Sequence, residues 1–198
     1  MFPKQFQNLI DQFSFLPGIG PKAAQRLAFF ILNNKIGANQ SLAEAILNLQ
    51  KTVGYCKICF NFSQKDECEI CSDKKREKNL LCVVETPLDI LSLENTGKFE
   101  GYYFVLGGLL NPLKGLGLEN LRFKELESRV KKNGFTEILL ALNNSIEGDQ
   151  TCFYICQIFK KIPIKITRLA QGLPRGGEVG YMDEATLSSA IKERRLVR

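Results

Sequence analysis

The chain has 198 residues, with 27 Lys or Arg against 21 Asp or Glu for a net charge of +6, seven cysteines, no tryptophan and no histidine. Without histidine there is no Ser-His-Asp or Cys-His nucleophile pair, no histidine general base and no zinc site of the two-Cys-two-His or three-histidine kind. Any metal must sit on cysteine or carboxylate, and apolar runs such as Leu80–Val84 and Ile138–Leu142 fall far short of the ~20 residues a membrane span needs. The N-terminus, MFPKQFQNLIDQF, has neither a continuous apolar stretch nor a small-residue cleavage site, so it reads as mature, cytoplasmic sequence. In a reducing compartment the odd cysteine count favours thiols or metal ligands over disulfides. Residues 1–55 carry five Lys or Arg and only two Asp or Glu, so the positive excess is densest there, a mild pointer to a polyanionic partner.

Phe6, Leu9, Ile10 and Phe13 are spaced as one apolar stripe and predict a helix over roughly residues 4–15. Leu16-Pro17-Gly18-Ile19-Gly20 breaks it, and Pro21 opens a second helix with Ala24, Leu27, Ala28 and Ile31 inward, ended by a turn at Gly37. A third amphipathic helix carries Leu42, Ala45, Ile46 and Leu49 inward and is capped by Ser41. The glycine turn lets the N–H groups of Gly18, Ile19 and Gly20 converge with a helix N-terminus, which suits a phosphate. Lys22 and Arg26, four apart, add charge on the same helical face. This pattern resembles a helix-hairpin-helix, a sequence-tolerant binder of DNA backbone; the plainer alternative is a helical corner with solvated basic residues.

Next comes Cys56-x2-Cys59 followed, after eight residues, by Cys68-x2-Cys71. Two such turns make a tetrahedral all-sulfur site that suits one structural Zn²⁺ per chain, since no position is left open for water. Rubredoxin-like iron and dithiol redox chemistry are the alternatives. With little apolar sequence nearby, the metal must supply much of this module's folding energy. Cys82, Cys152 and Cys156 read as core residues.

From residue 80 onward strands and helices alternate. Strands are expected at 80–84, 102–106, 137–142 and 164–167, and helices at 88–95, 119–131, 149–161 and about 187–195, giving a mostly parallel sheet with helices on both faces. Glu85 ends the first strand, and Asn143-Asn144-Ser145-Ile146-Glu147-Gly148-Asp149 ends a later one, where such sheets place their sites. Together these resemble the Toprim domain, in which a first-strand Glu and a later DxD motif bind Mg²⁺. Here Asn143 and Ser145 stand where the two aspartates would fall, a loss that weakens any site for a hard cation. Glu85, Glu147 and Asp149 remain acidic, and they read equally as solvated loop residues or a protein-binding patch. In the tail, Val179–Met182 with Asp183 and Glu184 superficially resembles a Walker B strand. No GxxxxGK[ST] loop accompanies it, so those two acids are read as structural or interfacial.

The order of these parts, with the segments VVETPLDILSLENTG, GYYFVLGGLLNPLKGLG, EGDQT and RLAQGLPRGGEVGYMDEATL, resembles the RecR family of bacterial recombination mediators along essentially the whole chain. One departure is that Phe104 stands where the family usually has a histidine. The resemblance implies an α/β protein with a helix-hairpin-helix region (residues 1–54), a four-Cys zinc module (55–78), a Toprim domain (79–170) and a C-terminal Gly-rich segment and helix at an oligomer interface (171–198). It further implies a non-enzymatic clamp, a dimer-to-tetramer ring on single- or double-stranded DNA. Such a clamp acts with RecO and sometimes RecF to load RecA on single strands coated by single-strand-binding protein. DNA contacts would then fall on Gly18, Ile19, Gly20, Lys22 and Arg26, zinc on Cys56, Cys59, Cys68 and Cys71, and RecO on Glu147. A Mg²⁺-dependent nuclease or primase using Glu85, Glu147 and Asp149 is the rival from another class, and a zinc-stabilised scaffold that never meets DNA is a third reading.

Overall fold

Phe6, Leu9, Ile10 and Phe13 do share one side of a helix, α1 (Lys4–Ser14), in the computed structural model, which describes residues 2–196. Their partners are Ala24 and Ala28 of α2 (Pro21–Asn33), both fully buried, with Ile19 packed beside them. Two alanines one turn apart give α2 a flat face, so α1 approaches closely and the small cluster needs no large side chain from α2. Leu27, expected inward, is exposed, because α1 covers only the alanine stripe.

The third helix differs from its prediction. It runs unbroken as α3 (Ile36–Thr52), so Gly37 lies in its first turn and Ser41 in its interior rather than at a turn and a cap. An exposed glycine costs a helix only ~1 kcal/mol, and the Asn39 side chain donates to the Ile31 carbonyl, tying α3 to the end of α2. Leu42, Ala45, Ile46 and Leu49 are exposed, not inward. The stripe is real but nothing within this unit covers it. These three helices form one compact unit ending at Val53; a second unit begins at Gly54.

The second unit opens with a two-stranded antiparallel ribbon, β1 (Gly54–Tyr55) and β2 (Phe62–Ser63), and one helical turn, α4 (Glu69–Ser72). A four-stranded all-parallel sheet follows, in the order β4 (Tyr102–Val105), β3 (Leu80–Val84), β5 (Glu137–Ala141), β6 (Lys165–Arg168). Side chains alternate across it. Leu81, Val83, Phe104, Leu106, Ile138 and Leu140 face one side, where α6 (Phe123–Asn133) and α7 (Ile146–Phe159) supply Leu126, Val130, Ile155 and Phe159. Cys82, Val84, Tyr103 and Val105 face the other, against Ile90 of α5 (Pro87–Glu94). Central strand β3 is apolar throughout because both its faces are covered.

The α5 helix starts where Thr86 and Asp89 close a capping box ahead of Pro87. The tail ends in α8 (Glu184–Lys192), three residues earlier than expected, because Asp183 caps it by accepting from the Thr186 N–H at 2.8 Å. Val179–Tyr181 is a 3₁₀ turn, not a strand. The α7 helix also begins earlier than expected, at Ile146, because Ser145 accepts from the Gly148 N–H, whereas α6 begins four residues later, at Phe123. Cys82 and Cys152 are buried as expected, whereas Cys156 is exposed on the outer side of α7.

Ile138→Ala is expected to lower unfolding free energy by about 2–5 kcal/mol, whereas Ile46→Ala, on the uncovered stripe of α3, should change a monomer's stability by less than about 0.5 kcal/mol. Urea unfolding midpoints for the two variants check the contrast.

Candidate metal centre and nucleic-acid interface

The outer edge of β4 is where the zinc-type module meets the sheet. Alternate residues of an edge strand direct their backbone outward, and here each outward carbonyl finds an arginine. Arg76 donates to Gly101 O at 2.8 Å, Arg129 to Tyr103 O, and Arg122 to Val105 O at 3.3 Å. The Val105 N–H donates in turn to the Cys59 carbonyl at 2.8 Å, so the module itself pairs with the strand. Phe60, held at a left-handed φ of 63°, sits between Phe104, edge-to-face at 5.5 Å, and the Arg122 guanidinium at 4.6 Å. Phe104 thus fills the core under the module, and the Arg76 guanidinium is itself clamped by both oxygens of Glu94.

Cys56, Cys59, Cys68 and Cys71 come together within that module, all four sulfurs lying within 4.8 Å of one another. A tetrahedron of sulfurs ~2.3 Å from an ion has edges of about 3.8 Å, so the set has the right size. The Cys56 sulfur accepts from the Ile58 and Cys68 N–H groups, each at 3.4 Å, which fixes its position in the cluster. With no cation between them the four cannot all ionise. Hydrogen bonding from Cys59 and Cys71 draws Cys68 down to about 2, while the same bond to Cys68, with burial, drives Cys59 upward. A divalent ion resolves this conflict by replacing the shared protons.

At the C-terminal ends of the sheet strands the remaining acids do not converge. Asn143 donates its amide to Glu85 at 2.8 Å, Asn111 donates to Glu147 at 3.2 Å, and Arg168 pairs with Asp149 at 2.5 Å while reaching the Asn143 carbonyl at 3.3 Å. Burial, and then the nearby Asp89, push the Glu85 carboxyl above the usual range, with the Asn143 amide opposing them. Among the described residues, the cysteines are the only group of three or more potential ligands gathered around a point. Gly148 is required here, since a Cβ would collide with the Asn143 carbonyl. Sequence reasoning misses Arg168, because an arginine ending a strand gives no sign of the acid it will meet.

In the N-terminal unit Lys22 and Arg26 are both exposed on the first turns of α2. Gly18 takes a φ of 78° to make the turn. Ile19 spends its N–H on the Leu16 carbonyl, so it is a turn-former rather than a free donor, unlike the expectation that all three turn amides converge outward.

Family models match the chain in consecutive segments: RecR, helix-hairpin-helix, over residues 6–49; RecR, four-cysteine zinc finger domain, over 53–73; Toprim domain over 79–170; and RecR, C-terminal, over 172–195. A curated relative, the Recombination protein RecR of Tropheryma whipplei (strain TW08/27), is 42% identical over 197 residues that span 100% of both chains. The four-cysteine centre is a structural zinc site. No helix among the described residues is long and apolar enough to cross a membrane.

Removal of zinc by a chelator is expected to expose the amides of residues 54–73 and of Val105 to hydrogen exchange while those of Ile138–Leu140 stay protected. Protons compete with the ion for thiolates, so zinc occupancy should fall as pH is lowered. Exchange mass spectrometry with parallel zinc analysis checks both.

Proposed function

The chain belongs to the RecR family, and from that premise we propose that it is a non-enzymatic, DNA-binding recombination mediator of the cytoplasm. In this reading residues 1–54 hold DNA, 55–78 form the zinc module, 79–170 the Toprim domain, and 171–198 an interface between copies. The copies close into a ring that surrounds DNA and acts with RecO, and in some settings RecF, to load RecA on single strands coated by single-strand-binding protein. The observation that carries the proposal is the pair Lys22 and Arg26, exposed one turn apart beside the glycine turn that starts α2. Gly18 and Gly20 bring the backbone close to a phosphate, and Ile19 holds the turn's shape.

Two further observations support it. Exposed apolar residues crowd the N-terminal unit, among them Phe29, Phe30, Leu32, Ile46 and Leu49, each at least 60% exposed, which suits a chain that works as an assembly. The acids at the sheet's C-terminal end are engaged by Asn143, Asn111 and Arg168, which suits a site that does not hold Mg²⁺. Glu147, in the first turn of α7, is the proposed contact for RecO.

Lys22→Ala/Arg26→Ala is expected to weaken DNA binding at all sequences and to reduce the salt slope by about two for each subunit that contacts the DNA. Light scattering should find its assembly intact, and unchanged affinity would overturn the assignment. Glu147→Ala should reduce RecO capture while leaving DNA affinity unchanged. Mg²⁺-dependent nicking that disappears in Glu85→Ala would instead establish the enzyme reading.

A further inference from the structure

Arg129 projects from α6 into the interior and is only 8% exposed, yet it forms an ion pair with none of the described carboxylates. Its guanidinium lies 5.9 Å from the Phe104 ring centre and 5.8 Å from that of Phe135. One terminal nitrogen donates to the Tyr103 carbonyl, the other approaches Cys71 Sγ at 3.9 Å, and Nε has no partner. A buried guanidinium without a counter-charge is among the most costly arrangements in a protein. The compensating charge must therefore be close and must not be a carboxylate.

A divalent zinc on four thiolates leaves two negative charges uncompensated. Cys71 is the most exposed of the four ligands, bordering a cleft of about 270 Å³ lined also by Ile58, Lys78, Tyr102, Arg129 and Phe135. Among the described residues, the one guanidinium within hydrogen-bonding reach of a ligand sulfur is that of Arg129. Outer-shell groups of this kind orient the ligands and tune the metal.

We propose that Arg129 is a positioning residue of the zinc centre: its guanidinium offsets the charge of the zinc tetrathiolate and holds the Cys71 sulfur in place, latching α6 of the sheet to the metal. The neighbouring Arg122 separates this role from simple docking. It too caps a β4 carbonyl and stacks on Phe60 of the module, but it is hydrogen-bonded to no ligand sulfur.

The test uses the full-length, zinc-loaded protein, following zinc transfer to a colorimetric chelator. Arg129→Met should lose zinc affinity by about 10–100-fold, Arg129→Lys, which keeps the charge, by less than about tenfold, and Arg122→Met, which loosens docking but touches no ligand sulfur, should lose clearly less than Arg129→Met. In the cobalt-substituted protein, Arg129→Met should move the thiolate-to-metal charge-transfer bands to lower energy while the tetrahedral ligand-field bands persist. Wild-type zinc retention in Arg129→Met, or equal losses in Arg122→Met and Arg129→Met, would overturn the proposal. If Arg129→Met does not fold, Arg129→Lys decides: near wild-type retention supports the charge role, and loss as large as that of Cys71→Ser refutes it.

Discussion

The outer edge of β4 is the constraint on which the second unit depends. A parallel sheet cannot leave a strand edge bare without inviting another chain to pair with it, and β4 is one end of the sheet. The edge is closed from two directions. Arginines from the segment before β3 and from the start and interior of α6 reach the outward carbonyls of residues 101, 103 and 105, and the Cys59 carbonyl takes the outward N–H of Val105. The module that presents Cys59 is short and poor in apolar residues, so a metal gathering its cysteines is expected to supply much of its stability. The zinc module therefore supplies one of the four hydrogen bonds that close this edge, and the arginines supply the other three.

The opposite problem is solved at the C-terminal ends of the strands. Where a Toprim domain would use aspartates around a cation, this chain places an amide and a guanidinium among the acids. Asn143 donates to Glu85, and Arg168 lends its charge to Asp149 while bonding the backbone of the loop between them. A divalent ion entering here would have to displace both donors and then find too few charged oxygens. The loop conformation survives because Ser145 caps α7 and Gly148 lets its backbone pass the Asn143 carbonyl. Each of the three acids, Glu85, Glu147 and Asp149, is thus held by its own donor, and only Asp149 has a cationic partner.

Much of this was legible in the sequence because the signals were local. The paired CxxC turns, the alternation of Leu81 and Val83 against Cys82 and Val84, and the Gly18–Gly20 break each act through residues a few positions apart. What escaped depends on distance. Gly37 and Ser41 read as a boundary because glycine and serine commonly end helices, but a tie from Asn39 to Ile31 starts α3 earlier. Periodicity found the stripe Leu42, Ala45, Ile46, Leu49 correctly, and it carries no information on whether a partner lies in the same unit. Cys156 failed for the same reason, its helix being buried on one side only. Arg122, Arg129 and Arg168 look in sequence like ordinary solvated cations, and only the topology brings them to a carbonyl, a thiolate and a carboxylate.

The uncovered stripe and the modest basic charge of the N-terminal unit bear on one another. Two cations beside one turn make few phosphate contacts, and such contacts weaken steeply with salt. If Lys22 and Arg26 are the contacts, a single unit would bind DNA weakly at physiological ionic strength. The same unit exposes more large apolar side chains than a monomer keeps in water at little cost. Covering those side chains with a second copy would remove that cost and bring two basic turns to one duplex, where the second contact forms at high effective concentration. Assembly and DNA affinity would then rise together, and a chain with weak individual contacts would hold DNA tightly only as a closed assembly.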